Sequence, residues 1–296
     1  MRKILLALLL ASSLLLPALA GAEILTLPLD FTPGPRPQGT FPAPYSSETW
    51  KHYEDPSITA DYEVLITPEW HTNFFTARIK IAGGSQIRTA AANSFEKKGV
   101  APAQTIARRM NAVVAINGDY YTGNAGRYVL RQGQVFRDYM APNQDLLLID
   151  EDGDFHIILA DEHPEEMDRT QIEGKRVNNA LCFGPALIRD GEIVVDVTRA
   201  QDQSHPIARE IRLALCQMGP LEYLVVVNAN ESLTLEEFAN FLHTNYEGIQ
   251  QAYNLDGGMS AHLVFMGELR NKAALVNGQD YRPVPDILYF ASAYQP

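Results

Sequence analysis

The chain has 296 residues, with 24 basic and 36 acidic side chains and a formal net charge of −12. This balance argues against a general nucleic-acid or anionic-membrane surface, because binding to phosphates there relies on Lys and Arg. A small phosphate pocket remains compatible with it, since one or two arginines are enough. The length allows one large domain or two small ones.

Residues 1–20 have the pattern of a cleavable signal peptide. Arg2 and Lys3 form a positive start, residues 5–16 are apolar, and residues 17–20 end in small side chains. This apolar run is too short to cross a hydrocarbon core of about 30 Å as an anchored helix. No later stretch approaches the roughly 18 apolar residues of a membrane span. We therefore expect a secreted or extracytoplasmic protein, in the periplasm or at the cell surface, with no transmembrane segment after signal removal.

Residues 21–52 are predicted to be an extended arm or linker, because proline is frequent there and the stretch is polar. Its prolines are Pro28, Pro33, Pro35, Pro37, Pro42 and Pro44. The folded domain is then predicted to cover residues 53–296.

The domain begins with a series of short strands. Residues 62–66, 75–81 and 112–116 are apolar or alternate between apolar and polar side chains, as strands do. The glycine-containing turns at 131–134, 151–154 and 189–192 each lie between apolar runs and predict hairpins.

Two helices are predicted, at residues 102–110 and from Thr234 onward. Thr234 and Glu237 form a capping box, and Gly248 suits the C-terminal end. The buried stripe of the second helix is predicted to consist of Leu235, Phe238, Ala239, Leu242 and Tyr246. We predict an α+β fold: a single domain with a central mixed, largely antiparallel β-sheet flanked by helices.

Two apolar strands run directly into polar turns, at residues 117–119 and 254–260. Glycines in such turns let the backbone approach a ligand, and the strand end fixes the neighbouring carboxylate. The same sequences, Asn-Gly-Asp and Asp-Gly-Gly, are also ordinary hairpin turns. Taken alone, the residues leave both interpretations open.

A set of ordered motifs resembles the phosphodiester glycosidase family. Residues 254–260, NLDGGMS, are similar to its NLDGGxS signature, and residues 115–121, AINGDYY, to its AINGGFF block. Residues 183–191 match FGPxLxxDG, residues 212–217 stand where the family has RTAIGQ, and residues 233–238 resemble its GLTLxELA helix start. The chain departs from the family at Asp119, Leu213, Cys216 and residues 228–232.

The resemblance implies hydrolysis of a sugar-1-phosphodiester, of the N-acetylglucosamine-1-phosphate type, in a surface glycan or related substrate. Asp256 is the first candidate for the catalytic carboxylate and Asp119 the second. Arg212 is the candidate for the phosphate, since a guanidinium binds two phosphate oxygens at once. The expected substrate-binding residues are Asn117, Gly118, Gly184, Arg212, Asn254, Gly257, Gly258, Ser260 and His262. Ser260 and His262 are expected to share one face of a strand.

Two other functions stay open. A catalytically inactive carbohydrate- or cell-wall-binding domain could keep the same fold, and the altered blocks favour it. A metal-dependent phosphodiesterase would need clustered ligands, whereas the seven histidines are scattered. We expect no cofactor and assign no metal-binding residue. Asp150, Asp152 and Asp154 suggest a calcium loop, but a solvated hairpin turn fits their spacing better.

The two cysteines, Cys182 and Cys216, are expected to pair as a disulfide if the protein is exported. The alternative is a pair of buried apolar thiols.

Overall fold

A computed structural model describes residues 23–37, 50–123, 126–163, 167–198, 205–230, 233–272 and 281–295. Within these ranges the strands are β1 (Glu23–Ile24), β2 (His52–Asp55), β3 (Ile58–Thr67), β4 (Thr72–Ile81), β5 (Ile87–Ala91), β6 (Ala112–Asn117), β7 (Val129–Arg131), β8 (Gln134–Arg137), β9 (Leu146–Asp150), β10 (Phe155–Ile158), β11 (Gln171–Ile172), β12 (Lys175–Leu181), β13 (Ala186–Arg189), β14 (Glu192–Ile193), β15 (Leu213–Gly219), β16 (Glu222–Asn228), β17 (Gln251–Leu255), β18 (Leu263–Phe265), β19 (Glu268–Leu269), β20 (Asp286–Ala291) and β21 (Tyr294–Gln295). The α-helices are α1 (Ala103–Arg109) and α2 (Leu235–Asn245).

The strands form several sheets. The largest has the order β14-β13-β17-β15-β16-β4-β3-β2, and a second has the order β19-β18-β6-β20-β5. A third follows the path β10-β9-β12-β7-β8, with β11 beside β12, and β1 pairs with β21. The pairings that join them are antiparallel, as in β15 with β17 and β6 with β20.

The main hydrophobic core lies where the eight-stranded, the five-stranded and the third sheets pack together. In β16, Tyr223, Val225 and Val227 face this core, while Leu224 and Val226 face the opposite side beneath α2. This alternation follows from the two-residue period of a strand. Helix α1 covers the outer face of the five-stranded sheet in the same way.

The fold is therefore mostly β, and the predicted α+β domain with one central sheet is wrong. The antiparallel character was predicted correctly. The helices described are short, with 7 residues in α1 and 11 in α2. Each covers part of one outer sheet face, and the core forms mainly where sheets pack on each other. The sequence pattern predicts individual strands but not how many sheets the strands form.

The local predictions are confirmed. Residues 62–66 lie in β3, 75–81 in β4 and 112–116 in β6. The turns at 131–134, 151–154 and 189–192 connect β7 to β8, β9 to β10 and β13 to β14. Gly133, Gly153 and Gly191 have positive φ angles there, which glycine adopts without strain.

Helix α2 begins at the predicted capping box, where Thr234 Oγ1 accepts from the Glu237 amide and Glu237 accepts from the Thr234 amide. All five residues of the predicted stripe are buried. Phe241 is buried as well and stacks on Phe74 of β4, with ring centroids 3.5 Å apart. The helix ends at Asn245 and the backbone is extended at Tyr246, so Gly248 lies beyond the cap rather than in it.

The described part of the predicted arm lies against the domain. Strand β1 pairs with β21, and Leu27 is buried. The buried guanidinium of Arg88 donates to the carbonyl oxygens of Pro28, Asp30 and Thr32. The segment is extended, and its backbone is bound to the sheets. The domain boundary at residue 53 stays a prediction.

The predicted signal peptide, residues 1–20, lies outside the described residues. Within the described ranges, no helix combines the length and the apolar character needed to cross a membrane.

The two cysteines are buried and free, so the structure contains no disulfide between them. Cys182 packs with the outer face of the third sheet, and its thiol donates to Gln144 Oε1 at 2.7 Å. Cys216 packs beneath α2 on the far face of the eight-stranded sheet. The predicted pairing is not formed because the two side chains belong to different hydrophobic clusters.

Candidate functional site

The two polar turns meet although their strands belong to different sheets. Strand β6 ends at Asn117 in the five-stranded sheet, and β17 ends at Leu255 in the eight-stranded sheet. The Asn117 Nδ2 donates to the carbonyl oxygen of Asp256 at 2.8 Å. Its Oδ1 accepts from the backbone amide of His262 at 2.9 Å. Asn117 is buried, and these two hydrogen bonds fix the position of the second turn. The side-chain amide of Asn117 is therefore already used in this contact.

A cavity of about 330 Å³ opens beside this junction. Five of the residues predicted for the site line it: Arg212, Asn254, Asp256, Gly257 and Gly258. The other lining residues are Tyr120, Phe183, His205, Glu210, Ile211, Leu255, Met259 and Arg282. The cavity contains both carboxylates and guanidinium groups, as a site for a polar, charged ligand would.

Asp256 is the carboxylate at the wall of this cavity with the most perturbed electrostatics. Burial raises the pKa of Asp256 from 3.8 to about 6. A hydrogen bond from Ser260 and the positive charges of Arg127 and Arg282 act in the opposite direction but do not cancel burial. A carboxyl group with a pKa near 6 exchanges a proton readily close to neutral pH.

Asn254 presents an unused hydrogen-bond acceptor. Its Nδ2 donates to the carbonyl oxygen of Gly184 at 2.7 Å, which fixes the side chain. Its Oδ1 is buried and has no hydrogen-bond partner among the residues that the structure describes. An unpaired buried acceptor is costly, so this atom suits a ligand hydroxyl or a water molecule. Gly184 itself supports Asn254 rather than lining the cavity.

The glycines of the second turn allow close packing against the segment that leads into β15. A Cβ on Gly257 would clash with the carbonyl oxygen of Ile211. The Gly258 amide donates to the same oxygen at 2.9 Å, and Gly258 has a φ of 55°. Gly118 has a comparable role, since a Cβ there would clash with the carboxylate of Asp286. Gly257 and Gly258 therefore let the second turn pack directly on residue 211 in the cavity wall, and Gly118 lets the first turn pack on Asp286.

Arg212 lines the cavity, but its guanidinium also donates hydrogen bonds to backbone carbonyl oxygens. Its Nη2 donates to the carbonyl oxygens of His205 and Ala208, at 2.8 and 2.6 Å, and its Nε donates to that of Leu233 at 3.2 Å. Burial lowers the pKa of Arg212 to about 10, against the attraction of Glu210. Arg212 thus fixes the segment 205–210, and Leu233 just before α2, against the site.

Asp119 lies behind the cavity rather than in it. The side chain is fully buried, and its Oδ1 accepts from Arg131 Nη2 at 2.6 Å. Its Oδ2 accepts from the backbone amide of Cys182 at 2.8 Å. Arg131 also binds Asp286 at 3.3 Å, and burial raises the pKa of Asp286. The Asp119 carboxylate is therefore held in an internal ion pair and does not line the cavity, and its assignment as the second catalytic carboxylate stays a prediction.

Ser260 and His262 do not share a strand face. Residues Gly258–Ser260 form a 3₁₀ turn, and β18 begins only at Leu263. The Ser260 hydroxyl bonds to Asp256. The His262 Nδ1 contacts the carbonyl oxygen of Ser260 at 2.6 Å, and its ring packs on Tyr281. Burial lowers the pKa of His262 to about 4, so the ring is neutral at pH 7.

Sequence reasoning missed Arg282 and Glu210. Arg282 precedes β20 and is joined to the second turn by its amide, which donates to the Met259 carbonyl oxygen at 2.9 Å. Nothing in its local sequence distinguishes it from a surface arginine. Glu210 stands two residues before Arg212, and that spacing on an extended segment was the available signal.

Among the described residues, no group of three or more His, Cys, Asp or Glu side chains could hold a metal ion. The carboxylates at 150, 152 and 154 lie in the hairpin between β9 and β10. Asp150 Oδ1 accepts from the amides of Asp152 and Asp154. Lys175 Nζ lies within 3.0 to 3.3 Å of all three carboxylates.

The fold and the cavity define a mostly-β protein with a small polar site whose wall includes a carboxyl group of raised pKa, a feature of sugar-cleaving enzymes. The sequence profile of the phosphodiester glycosidase family matches residues 110–291, more than half of the chain. The chain belongs to the phosphodiester glycosidase family, as its motifs predict.

Solved structures share the fold at low sequence identity. The catalytic domain of zebrafish N-acetylglucosamine-1-phosphodiester α-N-acetylglucosaminidase, auto-inhibited by its pro-peptide, is 16% identical with a TM-score of 0.59, over 82% of this chain and 86% of that one. A hypothetical protein from Synechocystis is 18% identical with a TM-score of 0.51, over 79% of this chain and 62% of that one. A protein from Burkholderia pseudomallei described as exported is 12% identical with a TM-score of 0.50, over 74% of each chain. No curated protein matches the sequence.

Proposed function

We propose that this protein is an exported hydrolase that cleaves a sugar-1-phosphodiester of the N-acetylglucosamine-1-phosphate type at the bond between the sugar C1 and the phosphate oxygen. The observation that carries the proposal is Asp256, a half-buried carboxyl group with a pKa raised to about 6 at the wall of a polar cavity. Family membership supports the reaction class. The signal-peptide pattern of residues 1–20 supports export.

The cavity offers a group for each part of such a substrate. Asp256 in its protonated form gives a proton to the departing phosphate oxygen, which is already a good leaving group. The unpaired Oδ1 of Asn254 accepts a hydrogen bond from a sugar hydroxyl. The volume of about 330 Å³ fits a single sugar with its phosphate, within the range for small-molecule sites.

Arg282 is the better candidate for the phosphodiester anion. Arg212 donates to three backbone carbonyls and so contributes mainly its charge to the cavity wall. Arg282 is exposed, lines the cavity and acts on Asp256 through its charge. A guanidinium in that place can bind two phosphate oxygens while Asp256 faces the bond to be broken.

The test is a panel of sugar-1-phosphodiesters incubated with the purified protein in heavy-oxygen water, with the products read by mass spectrometry. We expect turnover with the label in the released sugar, which reports cleavage between C1 and oxygen. Label in the phosphate would instead indicate cleavage at phosphorus and contradict the proposed bond. Binding of a glycan without any turnover would favour the inactive carbohydrate-binding alternative.

A further inference from the structure

Hydrolysis at C1 is faster with a second group besides Asp256, because the attacking water loses a proton and a base can take it up. Most enzymes that cleave glycosidic bonds use two carboxyl groups whose environments differ, one as acid and one as base or nucleophile. Asp119 was the second carboxylate in the sequence prediction, and it lies behind the cavity in an ion pair with Arg131. The cavity wall does contain another carboxylate, that of Glu210.

The backbone of Glu210 is fixed on both sides. Its amide donates to the carbonyl oxygen of Leu233 at 3.1 Å, and its own carbonyl oxygen accepts from Asn228 Nδ2 at 3.1 Å. These bonds fix the backbone at residue 210, and its side chain lies beside the second turn. A Cβ built on Gly258 would lie 3.9 Å from Glu210 Oε2. Gly258 stands two residues after Asp256, so both carboxylates approach the same turn, and the missing side chain of Gly258 leaves space beside them.

The two carboxylates have different environments. Asp256 is half-buried at the cavity wall and has a raised pKa. The Glu210 side chain is 29% exposed, and its Oε1 lies 3.6 Å from His205 Nδ1. Attraction to Glu210 opposes the lowering of the pKa of Arg212, so the two charges interact. The partly exposed Glu210 carboxylate is in reach of a water molecule in the cavity, whereas the raised pKa of Asp256 suits that group to hold a proton.

We propose that Glu210 is the second catalytic carboxylate of the site, the base that takes a proton from the attacking water; this rests on the proposed function. The water oxygen forms a bond to the sugar C1, and one water proton passes to Glu210. The bond between C1 and the phosphate oxygen breaks, and its electron pair stays on that oxygen. Asp256 gives its proton to the oxygen, so the products are a free sugar and a phosphate monoester.

A purely structural role for Glu210 is the competing explanation, because the side chain also lies near His205 and Arg212. Chemical rescue separates the two roles. A small anion such as azide can attack C1 without losing a proton, and in Glu210→Ala it fits into the space of the removed carboxylate. Azide cannot restore activity if the variant has lost activity because the segment around residue 210 has moved.

The experiment measures kcat and KM for the wild type, Glu210→Gln and Glu210→Ala on the substrate that the labelling panel identifies, with and without sodium azide. Removal of a catalytic base typically costs about 10²–10⁴-fold, so we expect both variants to lose kcat in that range with KM little changed. Azide should restore Glu210→Ala by on the order of tenfold or more and give a glycosyl azide. Glu222→Gln is the matched control: Glu222 on β16 forms an exposed ion pair with Lys80 on β4, and the variant should keep full activity.

Glu210 variants that keep kcat within about twofold would overturn the assignment, since the loss of a base costs far more. A large loss without azide rescue, in a variant whose circular dichroism and melting temperature match the wild type, would also overturn it and assign Glu210 a positioning role. Neither result contradicts the proposed function, because that function is tested by turnover of the wild type alone.

Discussion

The two polar turns of this protein look alike in sequence and differ in chemistry. Each follows an apolar strand and carries an asparagine, a glycine and an aspartate. Asp119 in the first turn is fully buried and paired with Arg131 at 2.6 Å. Asp256 in the second turn faces a cavity, and the ion pairs described for the chain do not include it. A carboxylate beside a glycine turn therefore becomes a candidate for catalysis only where no internal cation holds it.

The first turn nevertheless supports the second. Asn117 binds the backbone of Asp256 and of His262. Asp119 binds the amide of Cys182, next to Phe183 in the cavity wall. The charges behind the cavity thus fix its shape, while Asp256 remains available for a substrate.

The largest effect is expected for turnover in Asp256→Asn. The amide keeps the size and most hydrogen bonds but cannot transfer a proton, so kcat on a verified substrate should fall by about 10²–10⁴-fold. Steady-state kinetics check this, with Asp190→Asn as a control in the exposed hairpin between β13 and β14. Near wild-type turnover in Asp256→Asn would show that Asp256 is not the catalytic carboxylate.

Next in size is the loss of stability in Arg131→Met. Without the guanidinium, Asp119 and Asp286 remain buried and uncompensated, which typically costs about 3–5 kcal/mol of unfolding free energy. The loss should shrink at acidic pH, because burial raises the pKa of Asp286 and its carboxyl group takes up a proton there. Urea unfolding at pH 4.5 and pH 7.5 measures it. The control Arg108→Met removes an exposed ion pair with Glu268 and should cost under about 1 kcal/mol. Equal losses in the two variants would show that burial of the ion pair does not determine its contribution to stability.

The smallest effect is a gain of stability in Asp256→Asn. Because burial raises the pKa of Asp256 from 3.8 to about 6, the folded protein binds more protons than the unfolded chain between these values. The wild type therefore loses stability as the pH rises through this window, by at most about 3 kcal/mol. Asparagine has no such charge, so the variant should be the more stable above pH 7 and equal to the wild type near pH 3.5. A difference that does not change with pH would contradict the raised pKa.

The sequence by itself determined the local structure and the family. Hairpin turns, the capping box at Thr234 and the stripe of α2 could be predicted because each depends on residues that are neighbours along the chain. The motif blocks identified the family for the same reason. The strand pattern also indicated antiparallel pairing.

Tertiary structure alone decided which of the residues predicted from the sequence share a site. Whether Asp119 is catalytic depends on Arg131, and whether Arg212 is available depends on the carbonyl oxygens of the segment 205–208. The roles that we propose for Arg282 and Glu210 rest on how their segments pack against residues 257–259. Likewise, the number of sheets and the separation of Cys182 from Cys216 follow from which strand faces pack together. These outcomes are set by contacts between distant segments, and the charge and exposure of a side chain depend on those contacts rather than on its neighbours in the chain.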